Sequence, residues 1–133
     1  MNVFIVEDSE AMRESLRSML SEFHDVRIAG YAADETGAIK QINALLPDVV
    51  ILDLNLQSGT GVAVLKSVKK HRPEIKVMEL TNCNGELYVD ACKRANADYF
   101  FDKSFQFMQV REVFSNWSQI GQLNNKCAGR MSD

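Results

Sequence analysis

The stretch Val49-Val50-Ile51-Leu52, followed at once by Asp53, decides the fold of this 133-residue chain. Four consecutive apolar residues, three of them β-branched, are typical of a strand covered on both faces, because alternate side chains point to opposite sides of a sheet. Four other short runs are mainly apolar: Val3 to Val6, Val26 to Tyr31, Ile75 to Leu80 and Asp98 to Phe101. Together they indicate a parallel sheet between layers of helices.

Segments with helical periodicity separate these strands. The apolar stripes are Met12-Leu16-Met19-Leu20-Phe23, Ile39-Ile42-Leu45-Leu46, Val62-Leu65-Val68, a weakly apolar stripe around Leu87, Ala91 and Ala95, and Val110-Val113-Phe114-Trp117-Ile120. The expected N-caps are Asp8 or Ser9, then Asp34, Asn84 and Ser104. This alternation predicts right-handed βαβ units and an open α/β sheet with helices on both faces.

Composition fits a single globular domain, with 46% hydrophobic and 25% charged residues. The net charge of -3 does not favour direct contact with nucleic acid. Three cysteines without metal-ligand spacing favour free thiols in a reducing compartment, and no apolar run is long enough to insert into a membrane. We therefore expect a cytoplasmic domain over residues 1–122 and a flexible C-terminal tail over residues 123–133.

Polar side chains gather at the ends of the predicted strands. Glu7 and Asp8 follow the first strand, Asp53 the third, Thr81 the fourth and Lys103 the fifth. Each alone has an ordinary explanation, such as a helix cap or a solvated lysine, but parallel strands bring their carboxyl ends to one edge of a sheet. Clustered carboxylates repel each other unless a cation compensates, and Mg2+ suits such a site. A carboxylate there can attack phosphorus, while a hydroxyl and an ammonium stabilise the transferring oxygens.

Four blocks of sequence resemble the receiver domains of bacterial two-component response regulators. They are Phe4 to Asp8, Val50 to Leu56, Met78 to Thr81 and Phe100 to Ser104, in family order and at family-like spacing. The resemblance implies a flavodoxin-like (βα)5 fold, with five parallel strands in the order 2-1-3-4-5. Because it covers nearly the whole chain, we expect a single-domain, stand-alone receiver.

The resemblance also implies a role for each matched residue. Asp53 is the expected phosphoacceptor, and Lys103 pairs with the acyl phosphate. Asp8 and Asp53 are the expected direct ligands of Mg2+ or Mn2+. The backbone carbonyl of Asn55 completes this set, and Glu7 acts through water.

Thr81 and Phe100 form the expected switch. Gln57, Asn82 and Cys83 are candidates for modulating the rates of phosphorylation and dephosphorylation. A coupled shift of Thr81 and Phe100 is expected to transmit phosphorylation to the face made by helix four, strand five and helix five. Gln57 stands where the family commonly has proline, so the loop after the phosphoacceptor is expected to be looser. Asn82 replaces a usually small residue beside the phosphoryl site, and Cys83 follows it.

The resemblance implies a signalling phosphoacceptor rather than an enzyme. The phosphoryl donor would be a sensor histidine kinase or a histidine phosphotransfer protein. The phosphorylated domain would signal by contacting a downstream protein. A homodimer would form through helices four and five. Two variants of this reading are a phosphorelay shuttle and a pseudo-receiver that binds partners without phosphorylation.

Two other classes of site fit less well. A phosphatase of the haloacid dehalogenase type would carry a second aspartate where Asn55 stands, and its motif would follow the first strand. A calcium loop beginning at Asp53 would need glycine at Ser58 and glutamate at Val64.

Overall fold

The computed structural model describes residues 1–53, 61–81, 97–102 and 108–117. Five strands form one sheet, and every pair of neighbours is parallel. They are β1 (Asn2–Val6), β2 (Arg27–Ala32), β3 (Val49–Asp53), β4 (Lys76–Thr81) and β5 (Tyr99–Asp102). The order across the sheet is β2-β1-β3-β4-β5, which confirms the predicted strand order.

Helices connect and cover these strands. They are α1 (Glu10–Leu20), α2 (Glu35–Leu45), α3 (Gly61–His71) and a last described helix over residues 108–117. The side chain of Ser9 caps α1, and that of Asp34 caps α2, as predicted. The expected helix around Leu87, two expected caps and the expected tail lie outside the described residues. Among the helices that the structure describes, none combines the length and apolar character needed to cross a membrane.

Strands β1 and β3 are buried on both faces, as their continuous apolar runs predict, whereas the edge strand β2 is largely half-buried or exposed. Along β3, Val50 and Leu52 contribute to one core, while Val49 and Ile51 contribute to the other. The first core is closed by buried residues of α2 and α3, namely Ala38, Ile42, Val64, Leu65 and Val68. The second is closed by Leu16, Leu20, Val110 and Phe114 from α1 and the last described helix. The chain therefore forms three layers, with the sheet in the middle.

Two apolar stripes end differently from the prediction. Leu45 and Leu46 are about half exposed, because α2 ends at Leu45 and the left-handed backbone of Leu46 (φ 48°) turns the chain away. Phe23 lies beyond the end of α1, yet its ring still packs against Phe114 with centroids 6.1 Å apart. The apolar periodicity of the sequence thus continues for a few residues after α1 and α2 have ended.

The amino ends of β4 and β5 are joined by Asp98. Its Oδ2 accepts hydrogen bonds from Lys69 Nζ at 2.6 Å and from the backbone N–H of Val77 at 2.8 Å. Lys69, on α3, also donates to the carbonyl oxygen of Ile75 at 2.7 Å. Asp98 therefore links α3, β4 and the start of β5 at the amino ends of the strands, opposite the carboxyl ends that carry the predicted site.

Candidate functional site

Three carboxylates converge at the carboxyl ends of β1 and β3. Glu7, Asp8 and Asp53 each offer an oxygen that lies within 4.8 Å of the other two. The parallel register places Val6 beside Leu52, so the residues that follow them end at the same edge of the sheet. Glu7 and Asp53 are buried, at 1% and 2% exposure, and Asp8 is partly exposed. The described residues thus form a largely buried acidic cluster, in which Asp8 is the most exposed member.

Main-chain and side-chain hydrogen bonds fix the turn that carries the first two acids. The N–H of Glu7 donates to the carbonyl oxygen of Ala32 at 2.9 Å, which continues the pairing of β1 with β2. The N–H of Ser9 donates to Glu7 Oε1 at 3.2 Å, and Ser9 Oγ accepts from Met12 N at 3.3 Å. Arg13 reaches back from α1 and donates through its NH1 nitrogen to the carbonyl oxygen of Glu7 at 2.7 Å. These hydrogen bonds therefore hold in place the turn that carries Glu7 and Asp8.

A fourth carboxyl group lies close to this cluster. Glu79 occupies β4, paired in register with Leu52 of β3, and its side chain is completely buried. Within the described part of the chain, neither of its carboxyl oxygens has a hydrogen-bond partner. Burial raises the pKa of Glu79 well above its usual value, and the charge of Asp53 raises that pKa further. Burial and the charge of Asp53 therefore both favour the protonated, neutral form of Glu79.

The donor set suits a hard divalent cation. All three candidate ligands are carboxylate oxygens, which Mg2+ and Mn2+ prefer, whereas zinc sites usually include nitrogen or sulfur. Three carboxylates within 4.8 Å of one another also repel strongly at a buried site. A bound cation would relieve that repulsion, so the residues present fit the expected metal.

The other predicted site residues are only partly described. Thr81 is the last residue of β4, with its main chain beside Asp102 of β5, and Phe100 lies on β5 beside Glu79. The structure thus places the main chain of Thr81 on β4, next to β3, and that of Phe100 on β5, on the far side of β4 from β3. The remaining predicted residues, Asn55, Gln57, Asn82, Cys83 and Lys103, lie outside the described residues.

Sequence reasoning missed two residues of this region. Glu79 interrupts the apolar run Val77-Met78-Glu79-Leu80, and an acidic residue in a strand buried on both faces is a signal that could have identified it. Arg13 gave no such signal, because a hydrogen bond from a helix back to the preceding strand depends on the path of the turn.

The chain belongs to the response regulator receiver domain family, since the family model with that description matches residues 3–115. This establishes a receiver domain of the kind found in two-component systems, as the quoted blocks of sequence predicted.

Known relatives support the same assignment. The chain is 34% identical over 117 residues to the response regulator protein VraR of Staphylococcus aureus. A crystal structure described as a DNA-binding response regulator of the LuxR family, also from Staphylococcus aureus, superposes with a TM-score of 0.80 at 24% identity and covers 88% of this chain and 98% of its own. The response regulator domain of Thermotoga maritima CheB superposes with a TM-score of 0.76 at 25% identity, over 90% and 93% of the two chains. At these identities the structural matches chiefly establish the fold.

The lengths of the relatives bear on the expectation of a stand-alone domain. The alignment covers 88% of this chain but only 56% of VraR, so the chain spans about half the length of the curated relatives it matches. The expectation of a single-domain protein is therefore not confirmed. The boundaries at residues 122 and 123 remain predictions.

Proposed function

We propose that this chain is the phosphoacceptor of a two-component signalling system and that Asp53 takes the phosphoryl group. The observation that carries this proposal is the convergence of Glu7, Asp8 and Asp53 within 4.8 Å at one edge of a receiver sheet. Asp53 ends the central strand β3, at the carboxyl ends of the parallel strands, where sheets of this kind usually bind their ligands. The donor is a phosphohistidine of a sensor kinase or of a histidine phosphotransfer protein.

The transfer is a single displacement at phosphorus. A carboxylate oxygen of Asp53 forms the new bond, and the phosphorus–nitrogen bond of the donor breaks with its electron pair on the imidazole nitrogen. The product is an acyl phosphate on Asp53, which water later hydrolyses. The chain is therefore a phosphoacceptor that assists its own modification and is not an enzyme with a separate substrate.

Asp8 and Asp53 would hold Mg2+ or Mn2+ directly, and Glu7 would act through water. When bound, the metal supplies positive charge that offsets the charge of the incoming phosphoryl oxygens. The hydrogen bonds of Glu7 with Ser9 and Ala32 keep the acidic pair at the carboxyl end of β1. Lys103 and Thr81 would neutralise and hydrogen-bond the transferring oxygens, and Thr81 and Phe100 would couple the site to the output face.

The output depends on what else the natural protein contains. One matching structure is described as a DNA-binding response regulator. We therefore limit the expectation of no contact with nucleic acid to the receiver itself. We propose that such a protein would bind DNA through a further region, and that the receiver itself contacts proteins. The face made by helix four, strand five and helix five remains the proposed contact and dimer surface.

Treatment with acetyl phosphate followed by intact-mass measurement tests this function. With Mg2+ present, we expect a lasting adduct of about 80 Da, the mass of one phosphoryl group, located on Asp53 by peptide mapping. Release of phosphate without an adduct would favour a phosphatase of the haloacid dehalogenase type. Absence of both adduct and phosphate release would favour a pseudo-receiver and overturn the proposal.

A further inference from the structure

Three hydrogen bonds to neighbouring residues hold Glu7 in place. Its N–H is bonded to Ala32 of β2, its side chain accepts from Ser9, and its carbonyl oxygen accepts from Arg13. The first two bonds involve main-chain donors that the strand and the helix cap supply in any case. The third requires a particular side chain, because only a long donor on the second turn of α1 reaches back to the end of β1.

The bond from Arg13 acts on the peptide unit that joins the two acids. The carbonyl oxygen of Glu7 lies in the same rigid plane as the nitrogen and Cα of Asp8. A guanidinium donor at 2.7 Å makes a charge-assisted bond, which is stronger than a neutral one. Holding that oxygen therefore fixes the orientation of the peptide plane from which the side chain of Asp8 departs.

Arg13 is also used differently from the next arginine on the helix. Arg17, one turn further along α1, is exposed and forms an ion pair with Glu14 at 3.7 Å. Among the residues that the structure describes, Arg13 makes no ion pair, although Glu7 and Asp8 lie just before its own helix. Its guanidinium bonds a main-chain oxygen instead of neutralising a carboxylate.

Two opposite effects on a bound cation follow from this arrangement. The positive charge of Arg13 repels Mg2+ and would weaken its binding. The hydrogen bond holds Asp8 in place before the metal arrives and would strengthen binding by reducing the cost of ordering the ligand. The sign of the change when Arg13 is removed therefore tells which effect dominates.

We propose that Arg13 is a positioning residue for the cation site, which acts on Mg2+ through the main chain of Glu7 and Asp8. This inference rests on the proposed function. The hydrogen bond outweighs the repulsion, so loss of Arg13 weakens Mg2+ binding even though it removes a positive charge. Residues that orient metal ligands typically change metal affinity by about ten- to a hundredfold when they are replaced.

The test compares Arg13→Met and Arg13→Lys with the parent, and uses Arg17→Met as the matched control. Arg17→Met removes an arginine from the same helix without touching the turn. Calorimetric titration with MgCl2 should show a Kd raised about tenfold or more in Arg13→Met, a smaller rise in Arg13→Lys, and little change in the control. In Arg13→Met, the MgCl2 concentration that gives half-maximal phosphorylation by acetyl phosphate should rise by about the same factor as Kd, whereas in Arg17→Met it should match the parent.

A second measurement needs no metal. Amide hydrogen exchange in the metal-free protein should be faster at Asp8 and Ser9 in Arg13→Met, and unchanged there in Arg17→Met. An unchanged or lower Kd in Arg13→Met would overturn the inference, as would a loss of overall stability with no change in Kd. If Arg13→Met fails to fold, Arg13→Lys decides by the same criteria. If the parent itself neither binds Mg2+ nor accepts a phosphoryl group, the proposed function has failed, whatever the exchange rates show about the turn.

Discussion

Glu79 on β4 is buried beside β3, the strand that ends in Asp53, and the charge of Asp53 adds to burial in raising the pKa of Glu79. The two carboxyl groups belong to neighbouring strands of the same sheet. In the described residues, the oxygens of Glu79 have no hydrogen-bond partner to offset the loss of water. The centre of the receiver therefore contains a titratable group that the proposed phosphoryl transfer does not use.

Replacing Glu79 by methionine should stabilise the protein, most strongly at high pH. Because the folded-state pKa is raised, the parent binds a proton more tightly when folded, so stability is greatest below the ordinary value of 4.5 and falls as pH rises through the folded pKa. A methionine of similar size has no such pH dependence. At pH values above the folded-state pKa of Glu79, the free energy of unfolding should therefore be about 1–3 kcal/mol higher in the variant than in the parent. Urea unfolding at a series of pH values measures it.

The exposed Glu74→Gln provides the control for this experiment, since it removes a carboxylate just before the same strand. Its effect on the free energy of unfolding should be small at every pH. A gain in Glu79→Met that is the same at low and high pH would show that packing, and not the buried carboxyl, accounts for it.

Asp53→Asn should abolish the acetyl phosphate adduct, because the amide removes the nucleophilic carboxylate from the end of β3. Asp48→Asn is a suitable control. Asp48 precedes the other end of the same strand, and its side chain accepts a hydrogen bond from the backbone of Asn2 that an amide oxygen can still accept. Intact-mass spectra should show the adduct in the parent and in the control only. Full labelling of Asp53→Asn at the parent's rate would disprove the assignment of the phosphoacceptor.

Asp8→Asn should raise the melting temperature of the metal-free protein and remove most of its response to Mg2+. Loss of one charge reduces the repulsion among three carboxylates that lie within 4.8 Å of one another. In the parent, metal bound only to the folded state should add about 2.7 kcal/mol at a hundredfold excess over Kd. Thermal melts with and without MgCl2 measure both effects, and Glu10→Gln, exposed in the first turn of α1, is the control.

Much of the fold could be predicted from the sequence because each strand is a nearly continuous apolar run. The run from Val49 to Leu52 identifies a strand buried on both faces, and the observed strand differs only by including Asp53. The carboxyl ends of parallel strands then bring Glu7, Asp8 and Asp53 together, as the structure confirms.

The remaining features depend on three-dimensional detail that periodicity does not contain. The exposure of Leu45 follows from where α2 ends, and the stripe continues past that point. The bond from Arg13 to the carbonyl oxygen of Glu7 depends on the turn between them. The burial of Glu79 was visible in principle, since one acid stands in an apolar run, but its relation to Asp53 required the pairing of β3 with β4.

Asp98→Ala should destabilise the fold by about 2–4 kcal/mol without changing Mg2+ affinity. The substitution removes the acceptor of the Val77 N–H and leaves the ammonium of Lys69, which is only 10% exposed, without its carboxylate partner. Because these contacts lie at the amino end of β4 and the acidic cluster at the carboxyl end of β3, the two effects should separate. Urea unfolding and calorimetric titration with MgCl2 measure them, and Lys76→Ala is the control, since its exposed ammonium lies 3.7 Å from Asp98 and contributes little. A Kd for Mg2+ that rose in proportion to the loss of stability would show that the two edges of the sheet are coupled.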